Sequence, residues 1–317
     1  VDRVSTLKRV VSSPWTRWLV SLGLLSMLLA ISDLGLIGKT MATAQWSWLF
    51  AGFLMAMLLT AYGGVKWWVL MPRNRAAPWV FVRVNFISNF VGIFFPGIIG
   101  IEAARIAGIT QSSRDLPAAF SSVLVDRIFG LMTLAITVVL GGVVATTVVP
   151  EAVTRACMLA LLALLGGVAM IMSQRCRAVI TKVLPKRLDG ALSKFYECMD
   201  LYRDRKGTLV LSLLLSLIFQ GLRVVMVYFL ARSLFIDVGF SYLIVVVPVA
   251  LFVQMLPVSI YGIGVRESAM VAMLALAGVS TESAISLSIL MLAVQIGGSF
   301  PGGLLFALGH RLKAPAA

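Results

Sequence analysis

The chain has 317 residues, of which 60% are hydrophobic and 13% charged, and its mean hydropathy is +1.00. A soluble globule of that length cannot hide so much apolar surface. Lipid leaves backbone groups no partner but one another, so the composition describes an all-α polytopic membrane protein. The net charge of +14 gathers in particular loops, a pattern that faces anionic lipid and not nucleic acid. Neither Cys157, Cys176 and Cys198 nor the single His310 forms a zinc or disulfide pattern.

Apolar runs near 18–37, 46–70, 79–95, 116–148, 155–173, 207–234, 239–256, 264–277 and 281–308 are the candidate helices. A helix needs about 20 apolar residues to cross the hydrocarbon core. The first run lacks a signal-peptidase site and is expected to be retained. Basic residues mark the N-terminus (Arg3, Lys8, Arg9), the stretch 66–83 (Lys66, Arg73, Arg75, Arg83), the segment 174–206 and the tail (His310, Arg311, Lys313). The positive-inside rule places these segments, and both termini, on the cytoplasmic side of the cytoplasmic (inner) membrane. Trp15, Trp18, Trp46, Trp48, Trp67, Trp68 and Trp79 fall near helix ends, as an interfacial aromatic belt does. Residues 185–204 alternate apolar and basic positions at helical spacing and read as an interfacial helix on the cytoplasmic leaflet.

Counting crossings from these loops, 79–115 enters from the cytoplasm and returns to it, while 239–280 enters from and returns to the opposite face. The expected fold is one membrane domain, 1–317, of about six full transmembrane helices plus two oppositely oriented, Pro/Gly-broken re-entrant hairpins, an inverted repeat. Two ordinary helix pairs with Pro kinks are the alternative.

The breaks read FFPGIIGIEAAR (Phe94 to Arg105) and LPVSIYGIGVRE (Leu256 to Glu267). Pro96, Gly97 and Gly100 break the first; Pro257, Gly262 and Gly264 break the second. An Arg follows each Pro by nine residues, and both Pro and Arg repeat at an offset of 161 (96 to 257, 105 to 266). Interrupted apolar segments at matching places in two halves point to a transporter's binding site.

Charges within apolar segments are costly and need a partner, a wet cavity or a ligand. Glu102 and Arg105 are three apart and can touch on a helix. Arg266 and Glu267 are adjacent and are expected to point to different faces without neutralising each other. Asp126 and Arg127 either pair with these groups or meet substrate, and Arg223 with Gln220 either lines the site or is structural. Asn85 and Asn89 share one helix face and Gln254 precedes the second break, as cavity lining or packing amides. Guanidinium forks beside helix N-termini favour phosphate or carboxylate. The Gly pairs 141–142, 166–167 and 297–298, and Gly298 with Gly302, are expected close-packing sites. No nucleophile, metal set or phosphate loop accompanies the acids, so no enzyme activity, cofactor or metal is expected.

The stretches FFPGIIGIEAARIAGI, SSVLVDRIFGL and LPVSIYGIGVRESAMVAMLALAGVS, with the GxGxRE element at 262–267, resemble the lysylphosphatidylglycerol synthase transmembrane family, a flippase-like module, over most of 15–310. The first break has one Gly (Gly100-Ile101-Glu102) where the family often shows two. The resemblance implies handling of membrane lipids, including aminoacylated phosphatidylglycerol, hopanoid-type or polyprenyl-linked lipids. No synthase domain is fused in this sequence, so making a modified lipid is not expected. The leading expectation is a translocase that holds an anionic phospholipid or polyprenyl-type head group through Arg105 and Arg266. The runner-up is a non-transporting subunit presenting lipid to a separate lipid-modifying or glycosyl-transfer enzyme, which would then be its partner.

Overall fold

The computed structural model describes residues 33–72, 76–94, 98–144, 205–254 and 264–309, with Ser26 and parts of 155–203. Among these, the regular elements are helices: α1 (Leu34–Ala42), α2 (Trp46–Leu70), α3 (Pro78–Phe94), α4 (Ile98–Ser113), α5 (Leu116–Val144), α6 (Lys206–Ser233), α7 (Phe240–Gln254), α8 (Val265–Ala275) and α9 (Thr281–Gly309). Four of them, α2, α5, α6 and α9, are long and apolar enough to cross a membrane. The expected spans 18–37 and 155–173, the interfacial helix 185–204, the three Cys and His310 lie wholly or largely outside the described residues.

The polarity of the long helices is reversed relative to a soluble protein. On α2, Trp46, Phe50, Leu54 and Leu58 recur every four residues and are 78%, 60%, 49% and 50% exposed, a stripe suited to lipid. On the same helix Lys66 is buried. On α6 the apolar Val210, Leu214 and Ile218 are exposed, while Ser212, Ser216 and Gln220 are buried. Packing between such helices relies on close approach and hydrogen bonds, since lipid is as apolar as the helix surface.

Small residues supply that approach. A Cβ at Gly302 of α9 would strike the Phe86 carbonyl of α3, and one at Gly64 of α2 would strike the Val82 backbone. Gly297 and Gly298 sit against Phe53 and Ala56 of α2, and Gly141 of α5 against Val245 of α7. Gly166 and Gly167 meet nothing within 4 Å, so among described atoms they are not the packing sites expected.

The helix order repeats. The starts of α2, α3, α4 and α5 (46, 78, 98, 116) recur as those of α6, α7, α8 and α9 (206, 240, 265, 281), between 160 and 167 residues later. Helix α2 packs lengthwise on its counterpart α6, with Gly52 against Leu230, Tyr62 Oη donating to Leu215 O (3.1 Å) and Lys66 Nζ donating to Ser216 Oγ (3.3 Å). As numbers rise on α2 they fall on α6, so the two run antiparallel. Helices α3 and α4 fold back on each other, with Gly92 against Ile101 and Gly108 against Val84. Helices α7 and α8 do the same, tied by Tyr242 Oη to the Met273 carbonyl. Each pair then packs on the long helix of the opposite half, α3 on α9 and α7 on α5. The short helices hold 17, 16, 15 and 11 residues. At about 1.5 Å per residue each falls short of a ~30 Å hydrocarbon core.

One boundary departs from expectation. The end of the 18–37 run and part of the expected loop 38–45 form α1, whose start is set by Asp33: its carboxylate accepts from the N–H groups of Gly35 (2.8 Å) and Leu36 (3.1 Å). An Asp cap is worth about 0.5–2 kcal/mol, enough to choose the start of a short helix.

Candidate functional site

A cavity of about 460 Å³ lies between the two halves, lined by residues of α2 to α9. It brings together Arg105 of α4 and Arg266 of α8, the two Arg that follow the breaks. Glu102, Asp126 and Arg127 also line it, as do Arg223, Gln220 and Gln254 and the amides Asn85 and Asn89. Glu267 is the one polar site candidate not on its wall. Of the break residues, Gly100 opens α4 and Gly264 stands before α8 with φ +85°, a conformation only Gly adopts readily. Pro96, Gly97, Pro257 and Gly262 lie outside the described residues.

Around Arg105 the charges form a chain. Its Nη2 meets Asp126 Oδ2 at 2.9 Å, and Asp126 Oδ1 lies 2.6 Å from Lys66 Nζ. Arg105 Nη1 reaches Glu102 Oε2 at 3.4 Å, and Glu102 Oε1 lies 3.1 Å from Arg127 Nη2. Three cations and two carboxylates from α2, α4 and α5 thus alternate along one wall. Arg105, Asp126 and Lys66 are each less than 10% exposed, and Arg105 Nε has no hydrogen-bond partner among the described residues. Such groups hold their charge only by pairing, because an isolated ion out of water costs several kcal/mol.

Arg266 is held differently. Its Nη2 and Nε lie 2.5 and 3.1 Å from Glu267 Oε1, both residues are 3% exposed, and Nη2 is 3.5 Å from Ser288 O. The expectation that adjacent side chains cannot neutralise each other is therefore corrected. At the first turn of α8, Glu267 folds back to accept from the Gly264 N–H (2.7 Å), which brings its carboxylate under the Arg266 guanidinium. That carboxylate also occupies the positive end of the helix, where a ligand anion was expected.

The amides serve packing and lining together. Asn85 Nδ2 donates to Thr60 O (2.8 Å) and Asn89 Nδ2 to Asn85 O (2.9 Å). Arg223 Nη1 donates to Gln220 Oε1 at 3.4 Å, with its guanidinium 4.7 Å above the Phe219 ring.

A family model described as the lysylphosphatidylglycerol synthase TM region matches residues 15–302. The chain belongs to that family. It is thereby a multi-pass membrane protein of a lipid-related family. No curated protein matches the chain.

Within this family member, two residues of the site were missed by sequence reasoning. Lys66 was counted as a loop charge, yet it lies inside α2, 6% exposed, bound to Asp126. Trp67 was assigned to the aromatic belt, yet it is fully buried, its Nε1 donating to Ser122 Oγ (2.9 Å) and its ring 4.3 Å from the Arg105 guanidinium. Trp46 and Trp79 are exposed, as belt residues are. The available signal was that Lys66 falls within the 46–70 run, where a charge must find a partner. Gln295, Ser216, Ser299, Thr60 and Thr133 add to the polar lining.

Proposed function

We propose that this protein is a lipid translocase. The head group of an anionic phospholipid or polyprenyl-type lipid enters the cavity, while its tails stay among the apolar outer faces of the helices. The observation that carries this reading is the shared cavity. It holds both Arg105 and Arg266 inside a bundle whose exterior is apolar and whose family is lipid-related. The antiparallel pairing of α2 with its counterpart α6 supports an inverted repeat, and the short lengths of α3, α4, α7 and α8 support two opposed re-entrant hairpins. Repeats of that kind build sites at their interface and open them to either side by rocking one against the other. Glu102, Asp126 and Glu267 balance the cations while the site is empty, which keeps an Arg-rich chamber stable without ligand.

The test is reconstitution of the purified protein in liposomes carrying a fluorescent anionic lipid. The expected result is transbilayer movement that is lost when Arg105 and Arg266 both become Ala and is reduced by Arg223→Ala, a half-buried position that leaves the ion-pair chain intact. Unchanged movement in a folded double variant sinks the site assignment. Retention of lipid without movement supports the presenting-subunit reading instead.

A further inference from the structure

We infer that the cavity selects head groups carrying an anion and neutral hydroxyl groups, and rejects those carrying an added ammonium. On this reading phosphatidylglycerol is taken and lysyl-phosphatidylglycerol is not. The inference rests on the lipid-binding reading above and narrows it.

Five cations line the cavity: Lys66, Arg105, Arg127, Arg223 and Arg266. Three carboxylates oppose them, Glu102 and Asp126 on the wall and Glu267 behind Arg266, an excess of two positive charges among the described residues (5 against 3). The linkers 95–97 and 255–263, which join the helices of the two short pairs, contain no Asp or Glu. A ligand anion therefore meets net attraction and a ligand ammonium net repulsion, each stronger beside buried protein than in bulk water.

An ammonium is recognised by a free carboxylate or by an aromatic face, and among the described lining residues the carboxylates and the Phe219 ring are already taken. Asp126 holds Lys66 and Arg105, Glu102 holds Arg105 and Arg127, and Glu267 holds Arg266 and the Gly264 N–H. The Phe219 ring has Arg223 at 4.7 Å and Lys66 at 5.3 Å from its centroid. Among the described residues the other lining ring is Phe94, which is 71% exposed at the end of α3 and in edge contact with Phe90. An aminoacyl head group would have to displace a buried protein cation to reach a carboxylate.

Neutral polar groups have seats in plenty. Asn85, Asn89, Gln220, Gln254 and Gln295 line the cavity. Asn85 and Asn89 each donate one bond, and among the described residues their amide oxygens accept none, while Gln220 accepts from Arg223 through its oxygen. Side-chain amides that offer both donors and acceptors suit hydroxyl groups, which are both. A volume of about 460 Å³ exceeds what a bare phosphate fills and leaves room for a glycerol-sized extension.

The experiment places the purified full chain in nanodiscs of phosphatidylcholine doped with equal amounts of phosphatidylglycerol and lysyl-phosphatidylglycerol, and reads retained lipid by native mass spectrometry. Soluble sn-glycerol 1-phosphate is tested separately as competitor. The expected result is at least about tenfold preference for phosphatidylglycerol, equivalent to ~1.4 kcal/mol. In Arg223→Glu, which removes one positive charge and adds a negative one away from the Asp126 chain, the preference should fall or invert. Equal or stronger retention of the lysyl lipid by the unaltered protein overturns the inference while leaving lipid binding in place. Retention of neither lipid overturns both. If sn-glycerol 1-phosphate binds as tightly as the lipid, the head-group chemistry stands and the lipid reading falls.

Discussion

Replacing Asp126 by Asn tests whether the charge chain, and not hydrogen bonding alone, holds α2, α4 and α5 together. The amide keeps the shape and can still accept one bond, but Lys66 at 2.6 Å and Arg105 at 2.9 Å lose their common anion. Removing one partner of a buried ion pair costs about 3–5 kcal/mol, because the remaining charge stays out of water. Arg105 retains Glu102 at 3.4 Å, which puts the expected loss near the lower end, about 3 kcal/mol. Among the described residues, Lys66 is then left with the Ser216 hydroxyl (3.3 Å) and the Phe219 ring. If uncompensated charge is the cause, adding Lys66→Met to Asp126→Asn should recover part of the loss, with a coupling of about 1–3 kcal/mol in a double-mutant cycle. Equilibrium unfolding in mixed micelles titrated with denaturing detergent reads each variant. A loss under about 0.5 kcal/mol for Asp126→Asn, or strict additivity of the pair, refutes the electrostatic account and makes the cluster a set of independent contacts.

Three further outcomes follow from packing and capping. Gly302→Ala pushes a methyl into the Phe86 carbonyl and should destabilise by about 1–3 kcal/mol, whereas Gly221→Ala, with nothing within 4 Å, should be neutral or stabilising by up to ~1 kcal/mol; equal effects in the same unfolding assay would contradict the α9–α3 contact. Tyr242→Phe removes the bond from α7 to the Met273 carbonyl and should cost about 1 kcal/mol, with faster amide exchange at the C-terminal end of α8; unchanged exchange there would separate the two helices energetically. Glu267→Gln should leave Arg266 without its anion and lower thermal stability more than Glu102→Gln does, because Glu102 is 20% exposed and Glu267 only 4% at the side chain; the reverse order of melting temperatures would contradict the burial argument.

Much of the helix pattern was legible because lipid imposes it. Apolar runs of fixed length must become helices, and α2, α6 and α9 fall within a residue or so of the runs 46–70, 207–234 and 281–308. Local chemistry that overrides hydropathy was harder to read. The Asp33 cap started α1 inside a run that composition alone would have kept continuous. The gathering of polar residues was readable from the cost of burying charge, which singled out Arg105, Asp126 and Arg266. Who pairs with whom was not, because pairing depends on how α2 and α5 cross. Lys66 sits four residues before the end of α2, where sequence gives no means to tell an interfacial charge from an inward one.

The repeat explains why the second Arg carries its own carboxylate. At the 161-residue offset, Glu102, Lys66 and Asp126 correspond to Ile263, Val227 and Leu287, none of which can neutralise a guanidinium. Val227 and Leu287 are fully buried. Beyond its own helix, Arg266 reaches α9 at the carbonyl of Ser288 (3.5 Å), the residue after the counterpart of Asp126. A buried Arg with one carbonyl 3.5 Å away is not sustainable, so a carboxylate must come from the same turn, and Glu267 stands where the first half has Ile106. The adjacency that looked unable to neutralise is thus the only local route left once the neighbouring helices are apolar. It also makes the halves unequal: Arg105 is fixed by three helices, while Arg266 is fixed mainly from within α8. Any motion that carries α8 against α9 moves Arg266 together with its counter-ion, so the second half can shift without stranding a charge, whereas the first half cannot shift α4 against α5 without breaking the Asp126 link.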